Sequence, residues 1–160
     1  MFANVSKSMV LAAGMLATAA PALAAQAAPT LVIVNEQQQD KVVEEHGLKR
    51  HVLVTPAKVV PGDHMVYSLT YKSSYTQPLT KVVLSDPIPT GTVLDDDGTG
   101  NYEVSVDGGK NWGKLAQLTL DDGKGARRPA QASDATHVRW VIETIAPGAS
   151  GHVSFRAVVR

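Results

Sequence analysis

The residues with the most chemical character lie in Ser105-Val-Asp-Gly-Gly-Lys-Asn-Trp112, spaced S-x-D-x-G-x-x-W. A Ser and an Asp at that spacing cap a tight turn, because their side-chain oxygens accept hydrogen bonds from backbone N–H groups nearby. The Trp then covers the turn, so the pattern is a folding device with no catalytic role. The run Asp95-Asp-Asp-Gly-Thr-Gly-Asn101 and the turn Asp121-Asp122-Gly123 present the clustered carboxylates that hard cations prefer. They lack the alternate acidic positions and distal Glu of a calcium loop, and are read as solvated turns. Five histidines, His46, His51, His64, His137 and His152, include no two at metal-ligand spacing on one strand face. With no cysteine in the chain, thiol catalysis and Cys-based zinc sites are excluded. Gly148-Ala-Ser-Gly151 is not the G-x-S-x-G elbow of a serine hydrolase. A paired-carboxylate glycosidase calls for an aromatic cleft, and only 5% of the residues are aromatic. Trp112 and Trp140 are read as hairpin cover and core. No catalytic residue, metal ligand or cofactor is therefore assigned, and the chain is expected not to be an enzyme.

Residues 1–24 read as a signal peptide. Lys7 supplies the positive start, an uncharged run from Met9 to Ala20 follows, and Pro21 precedes Ala22-Leu-Ala24, which suits signal peptidase. The apolar run is shorter than the roughly 20 residues a membrane span needs. Residues 25–29 form a flexible leader, and residues 30–160 form a single domain. The product is expected to be exported, either periplasmic or extracellular at the cell surface, with no transmembrane span after cleavage. The chain carries 15 basic and 15 acidic residues; loss of Lys7 leaves 14 against 15, about −1. That balance gives no reason to expect a nucleic-acid partner.

The domain must position these residues with strands. His64-Met-Val-Tyr-Ser-Leu-Thr-Tyr71 alternates strictly, placing Met65, Tyr67, Leu69 and Tyr71 on one face. Thr30–Val34, Lys49–Thr55, Lys81–Leu84, Tyr102–Val106, His137–Ile142 and Gly151–Arg160 are further strands. Asp86-Pro-Ile-Pro89 stops one of them. Gln37-Gln-Gln-Asp40 is expected to interrupt the first as a polar loop. Leu115–Leu120 is expected to return from the Gly-rich hairpin, Asp121–Ser133 to be a long polar loop, and the last strand to lie at a sheet edge. No segment shows a helical apolar period. Short strands separated by Gly, Pro and Asp turns predict an all-β fold, an immunoglobulin-like antiparallel β-sandwich of seven to nine strands.

Three motifs carry a resemblance to a known family. They are Val60-Pro-Gly-Asp63 leading into Val66–Tyr71, Val82-Val-Leu-Ser-Asp-Pro-Ile-Pro89 with Gly91, and Trp140 with Ile145-Ala-Pro-Gly148 and Val153-Ser-Phe155. In this order they resemble the conserved-repeat surface domain, the domain of unknown function eleven, of bacterial and archaeal envelope proteins. Where that family has an Asn and a Gly, this chain has Lys72-Ser-Ser-Tyr75. The resemblance implies an immunoglobulin-like sandwich on a cell surface and brings no catalytic residues. The Ser105–Trp112 pattern itself resembles the Asp-box hairpin of sialidase propellers, in a single copy.

The expected function is a structural or protein-interaction module of the cell envelope or extracellular space, with protein partners or self-assembly there. A sandwich that binds calcium, a glycan or another ligand is one alternative. A subunit of a strand-exchanged filament is the other: Leu31–Val34 is β-branched, follows a leader, and has the character of a strand that pairs within its own sheet or with a neighbour.

Overall fold

The computed structural model describes residues 28–96, 98, 100–121 and 123–160. The predicted signal peptide and most of the leader fall outside these residues. The described chain is an all-β, antiparallel sandwich. Its strands are β1 (Leu31–Glu45), β2 (Leu48–Val54), β3 (His64–Ser73), β4 (Leu79–Pro87), β5 (Thr92–Leu94), β6 (Glu103–Ser105), β7 (Thr119–Asp121), β8 (Arg127–Pro129), β9 (His137–Ile145) and β10 (Ser150–Val159). One sheet has the order β2-β1-β3-β10-β5, the facing sheet β4-β9-β6, and β7 and β8 form a separate hairpin.

The alternation predicted for β3 sets the core. Met65, Tyr67 and Leu69 are buried there, and β10 adds Phe155 and Ala157 from the same sheet. Leu84, Val104, Val138 and Trp140 meet them from the facing sheet. The Tyr67 and Phe155 rings stack with centroids 5.0 Å apart, and Trp140 reaches across to Phe155 at 6.3 Å. Aromatic pairs of this kind add to the stabilisation from buried area. Without disulfides, this layer of interleaved side chains holds the two sheets together.

Four details depart from the sequence expectation, and one expectation holds in part. Gln37–Asp40 is no loop: β1 runs unbroken through it, because this stretch lies beside β3 and Gln39 turns into the buried layer. Leu115–Leu120 is not a returning strand: a 3₁₀ turn, Leu115–Gln117, precedes β7, and only the Val104–Gly113 bridge closes the hairpin. Asp121–Ser133 is not structureless: it holds β8 and a 3₁₀ turn, Ala132–Asp134, closed by Gln131 and Asp134 as a capping box. The last strand is covered only at its end: β5 pairs with Ala157–Val159, while Ser150–Phe155 have no partner on that side among the described residues, so the expected edge holds over most of β10. Finally, β4 continues through Pro87 opposite His137, which is allowed because β4 is an edge strand and its outer side needs no N–H.

Candidate functional site

The unusual element is β1. Residues 31–40 pair with β3 on one side, and residues 39–45 pair with β2 on the other. The strand therefore has two half-edges without a partner among the described residues: 31–38 on the β2 side and 41–45 on the β3 side. Pro56 lies just past the end of β2 and cannot extend that ladder along β1.

Backbone parity defines what the first half-edge presents. Thr30 N donates to Ser74 Oγ at 2.8 Å, and Ser74 N donates to Thr30 O at 2.9 Å. The backbone groups of Thr30 thus point toward β3, as do those of every second residue after it. Leu31, Ile33, Asn35 and Gln37 aim their N–H and C=O groups outward instead. At the start of this half-edge the side chains are apolar and exposed on both faces, Val32 being 52% exposed, Ile33 47% and Val34 49%; Asn35–Gln38 are polar.

Beyond residue 40, β1 leaves the sandwich and returns as β2 in a projecting hairpin arm. His46 and Gly47 form its two-residue turn, both at positive φ (54° and 77°), the conformation of a type I′ hairpin. Val42, Val43, Leu48 and Leu53 on the arm are exposed. Asp40 fastens the arm to the sheet. Its side chain is only 3% exposed, yet it accepts from Arg156 Nη1 of β10 at 2.8 Å and bonds His51 Nδ1 of β2 at 2.9 Å. Next to it Gln39 is buried, and its Oε1 has no hydrogen-bond partner among the described residues. Gln39, Asp40, Lys41, Lys58, Asp63 and His64 are among the residues lining an open cleft of about 390 Å³ at the base of the arm, roomy enough for water.

Sequence reasoning marked Leu31–Val34 but missed the Asp40–His51–Arg156 fastening and the arm. A His-Gly pair between two β-rich runs was the available signal for the turn. The fastening leaves no local trace, because Arg156 is far along the chain.

The other sequence candidates are accounted for locally. Ser105 Oγ donates to Asp107 Oδ1 at 2.8 Å and accepts from Gly109 N at 2.9 Å. Asp107 Oδ1 accepts from the backbone N–H groups of Asn111 and Lys110, and Oδ2 from Asn111 Nδ2. These donors, Asn111 foremost, hold the Asp107 carboxyl well below the usual carboxylate range. Trp112 Nε1 donates to Gly109 O, and the Arg139 guanidinium lies 4.7 Å over the Trp112 ring. The hairpin is thus the closed turn that its spacing predicts.

In the acidic turns, Asp95 bonds His64, Asp96 caps Gly98 N and accepts from Tyr102 Oη, and Asp121 caps Gly123 N. Asp97 and Asp122 lie outside the described residues. No group of three or more His, Asp or Glu side chains able to hold a metal occurs among the described residues. His137 sits against Trp112 with its Nδ1 at Thr136 Oγ1, and His152 is exposed on β10.

One buried acid stands apart. Asp86, next to Tyr67, is 8% exposed and, among the described residues, has only a long contact of 3.5 Å from Asn35 Nδ2. Burial raises its pKa, opposed by Asn35 and by His137. Burial, with the Asp86 charge, likewise raises that of Tyr67.

A scan against protein-family models finds no match, and neither do searches of curated proteins and of solved structures.

Proposed function

We propose that this chain is an exported structural or interaction module of the cell envelope that acts through sheet edges and not through catalysis. The observation that carries this reading is the half-edge of β1 at residues 31–38. It presents outward-facing backbone groups flanked by exposed Val32, Ile33 and Val34. Such an edge is a template for another strand. The arm adds a second exposed apolar surface on the same strand. The signal-peptide pattern and the family resemblance support the compartment.

The test places a photo-crosslinking amino acid at position 34, and separately at position 141, in the full chain expressed in a bacterium. Val141 is also exposed, at 46%, but lies on the facing sheet. The proposal expects the chain in the exported fraction and adducts from position 34 but not from 141. A chain retained in the cytoplasm, or no adduct from position 34, refutes it.

A further inference from the structure

We propose that two copies of this chain join edge to edge through β1. The two strands run antiparallel about Ile33, so that Val32 of one copy lies opposite Val34 of the partner subunit. This inference rests on the interaction-module reading above and names its partner.

The contrast between edges comes first. Natural sheets blunt their edges with charge, proline or a kink. The edge strand β4 carries Lys81 at a φ of 52° in mid-strand and ends at Pro87. The free side of β2 carries Lys49, Arg50 and His51. The half-edge of β1 has no proline and no Lys, and its one charge, Glu36, lies toward the far end. Its apolar side chains project from both faces, so a strand covers them where a loop on one face would not.

Length and register then select a second copy. The slot ends at Gln39, which is already opposite Val54. With Ile33 opposite Ile33 of the partner subunit, Leu31 faces Asn35 of the partner subunit and Thr30 faces Glu36 of the partner subunit. Gln37 faces Pro29 of the partner subunit, which has no N–H, so the paired hydrogen bonds end at Leu31 and Asn35; Ala28 of the partner subunit, opposite Gln38, is still one step short of the occupied Gln39 position, so neither β2 obstructs the other strand. Parity agrees: Leu31, Ile33 and Asn35 all aim their backbone groups into the slot, so each exchanges both groups with its opposite number. Opposed residues share a face of the sheet, so the two five-stranded sheets become one continuous sheet with its buried side unbroken. The Val-Ile-Val run lies on its own counterpart, and no like charges are opposed. The arrangement is isologous and closes at two copies. A single strand pair buries less area than a standard interface, so the dimer is sought across the micromolar concentration range.

The chain has no cysteine, so single substitutions give a clean readout. Val32→Cys and Val34→Cys chains are prepared separately and mixed. Directly opposed residues of the pair that does not exchange backbone hydrogen bonds have Cα atoms about 4.5 Å apart, within disulfide reach. The expected result is a disulfide-linked dimer that forms at least tenfold faster in the mixture than in either variant alone. Light scattering of the wild-type chain shows a concentration-dependent dimer, and Ile33→Lys weakens it at least tenfold with the circular dichroism spectrum unchanged. If Ile33→Lys does not fold, the cysteine mixture still decides. Faster linkage of Val34→Cys with itself overturns this register. A monomer throughout the micromolar range, with no linkage in the mixture, overturns the dimer. In that case a position-34 photo-adduct with the mass of another protein leaves the module reading intact, while its absence removes both.

Discussion

Replacing Asp40 by Ala should release the arm and lower stability by about 1.5–3 kcal/mol. Two hydrogen bonds to a carboxylate are lost, and bonds to charged groups are each worth about 1.5–3 kcal/mol. Removing one member of a fully buried ion pair costs about 3–5 kcal/mol. Here only Asp40 is buried; the side chains of Arg156 and His51 are 55% and 69% exposed, so both rehydrate when orphaned and the cost falls to the lower range. For a domain of this size, roughly 3–5 °C of melting temperature corresponds to each kcal/mol, giving a loss of about 5–15 °C. Asp40→Asn keeps the shape and one acceptor and should lose about half as much. Thermal unfolding followed by circular dichroism measures the loss. Amide exchange locates it, with the amides of Lys41 and Val43 exchanging faster and those of β3 unchanged. Adding Arg156→Met completes a cycle whose coupling is non-zero if the pair acts as a unit. An Asp40→Ala chain that melts within about 1 °C of wild type, or an arm that exchanges no faster, refutes this role.

The remaining expectations concern other acids and the closed turn. Asp134 accepts two bonds from Arg128, at 2.6 and 2.7 Å, and chiefly through them its carboxyl is lowered to about 2. A depressed carboxylate stabilises above its unfolded pKa, and that contribution is lost as pH falls toward the folded value; Asp134→Asn should therefore melt below wild type at pH 7 and converge with it near pH 2. Asp86 has the opposite sign. Its raised pKa favours the protonated form in the folded chain, so its contribution is lost as pH rises, and Asp86→Asn should melt higher than wild type at pH 7 with the gap closing below about pH 4. Ser105 is fully buried, and Ser105→Ala strands the Gly109 N–H, at a cost of about 1–3 kcal/mol, read as a lower urea midpoint with an unchanged slope.

What the sequence disclosed follows from how local each signal is. The strands of the core were legible because burial on one face demands alternation, as in Met65, Tyr67 and Leu69. The Ser105–Trp112 turn was legible because the Ser105 and Asp107 hydrogen bonds that close it lie within eight residues. The length of β1 was hidden because Gln37-Gln-Gln-Asp40 reads as a break in any apolar count; the strand persists because its backbone bonds to β3, which side-chain pattern does not report. The arm has water on both faces, so no alternation is required of it, and only the His46-Gly47 turn marked it. The β7–β8 hairpin was missed for the same reason: Arg127, Arg128 and Pro129 are all exposed. The fastening at Asp40 was beyond reach because it joins three separate strands.

The two surfaces of β1 meet at Gln39 and Asp40, and this decides how they respond to perturbation. Residues 31–38 are held by β3 through bonds that alternate along the whole shared length, and none of those bonds involves the arm. Loss of the Asp40 fastening therefore frees residues 41–52 while the slot keeps its shape. Conversely, a strand seated in the slot ends one step short of the β2 pair and leaves the arm free to project. An Asp40→Ala chain should accordingly dimerise with wild-type affinity, and an Ile33→Lys chain should retain a protected arm. If the arm melts in both variants, or the dimer is lost in both, then β1 acts as a single cooperative unit and the division of its edges into separate surfaces is wrong. Amide exchange at Val43 and light scattering, measured on the same two variants, make that distinction.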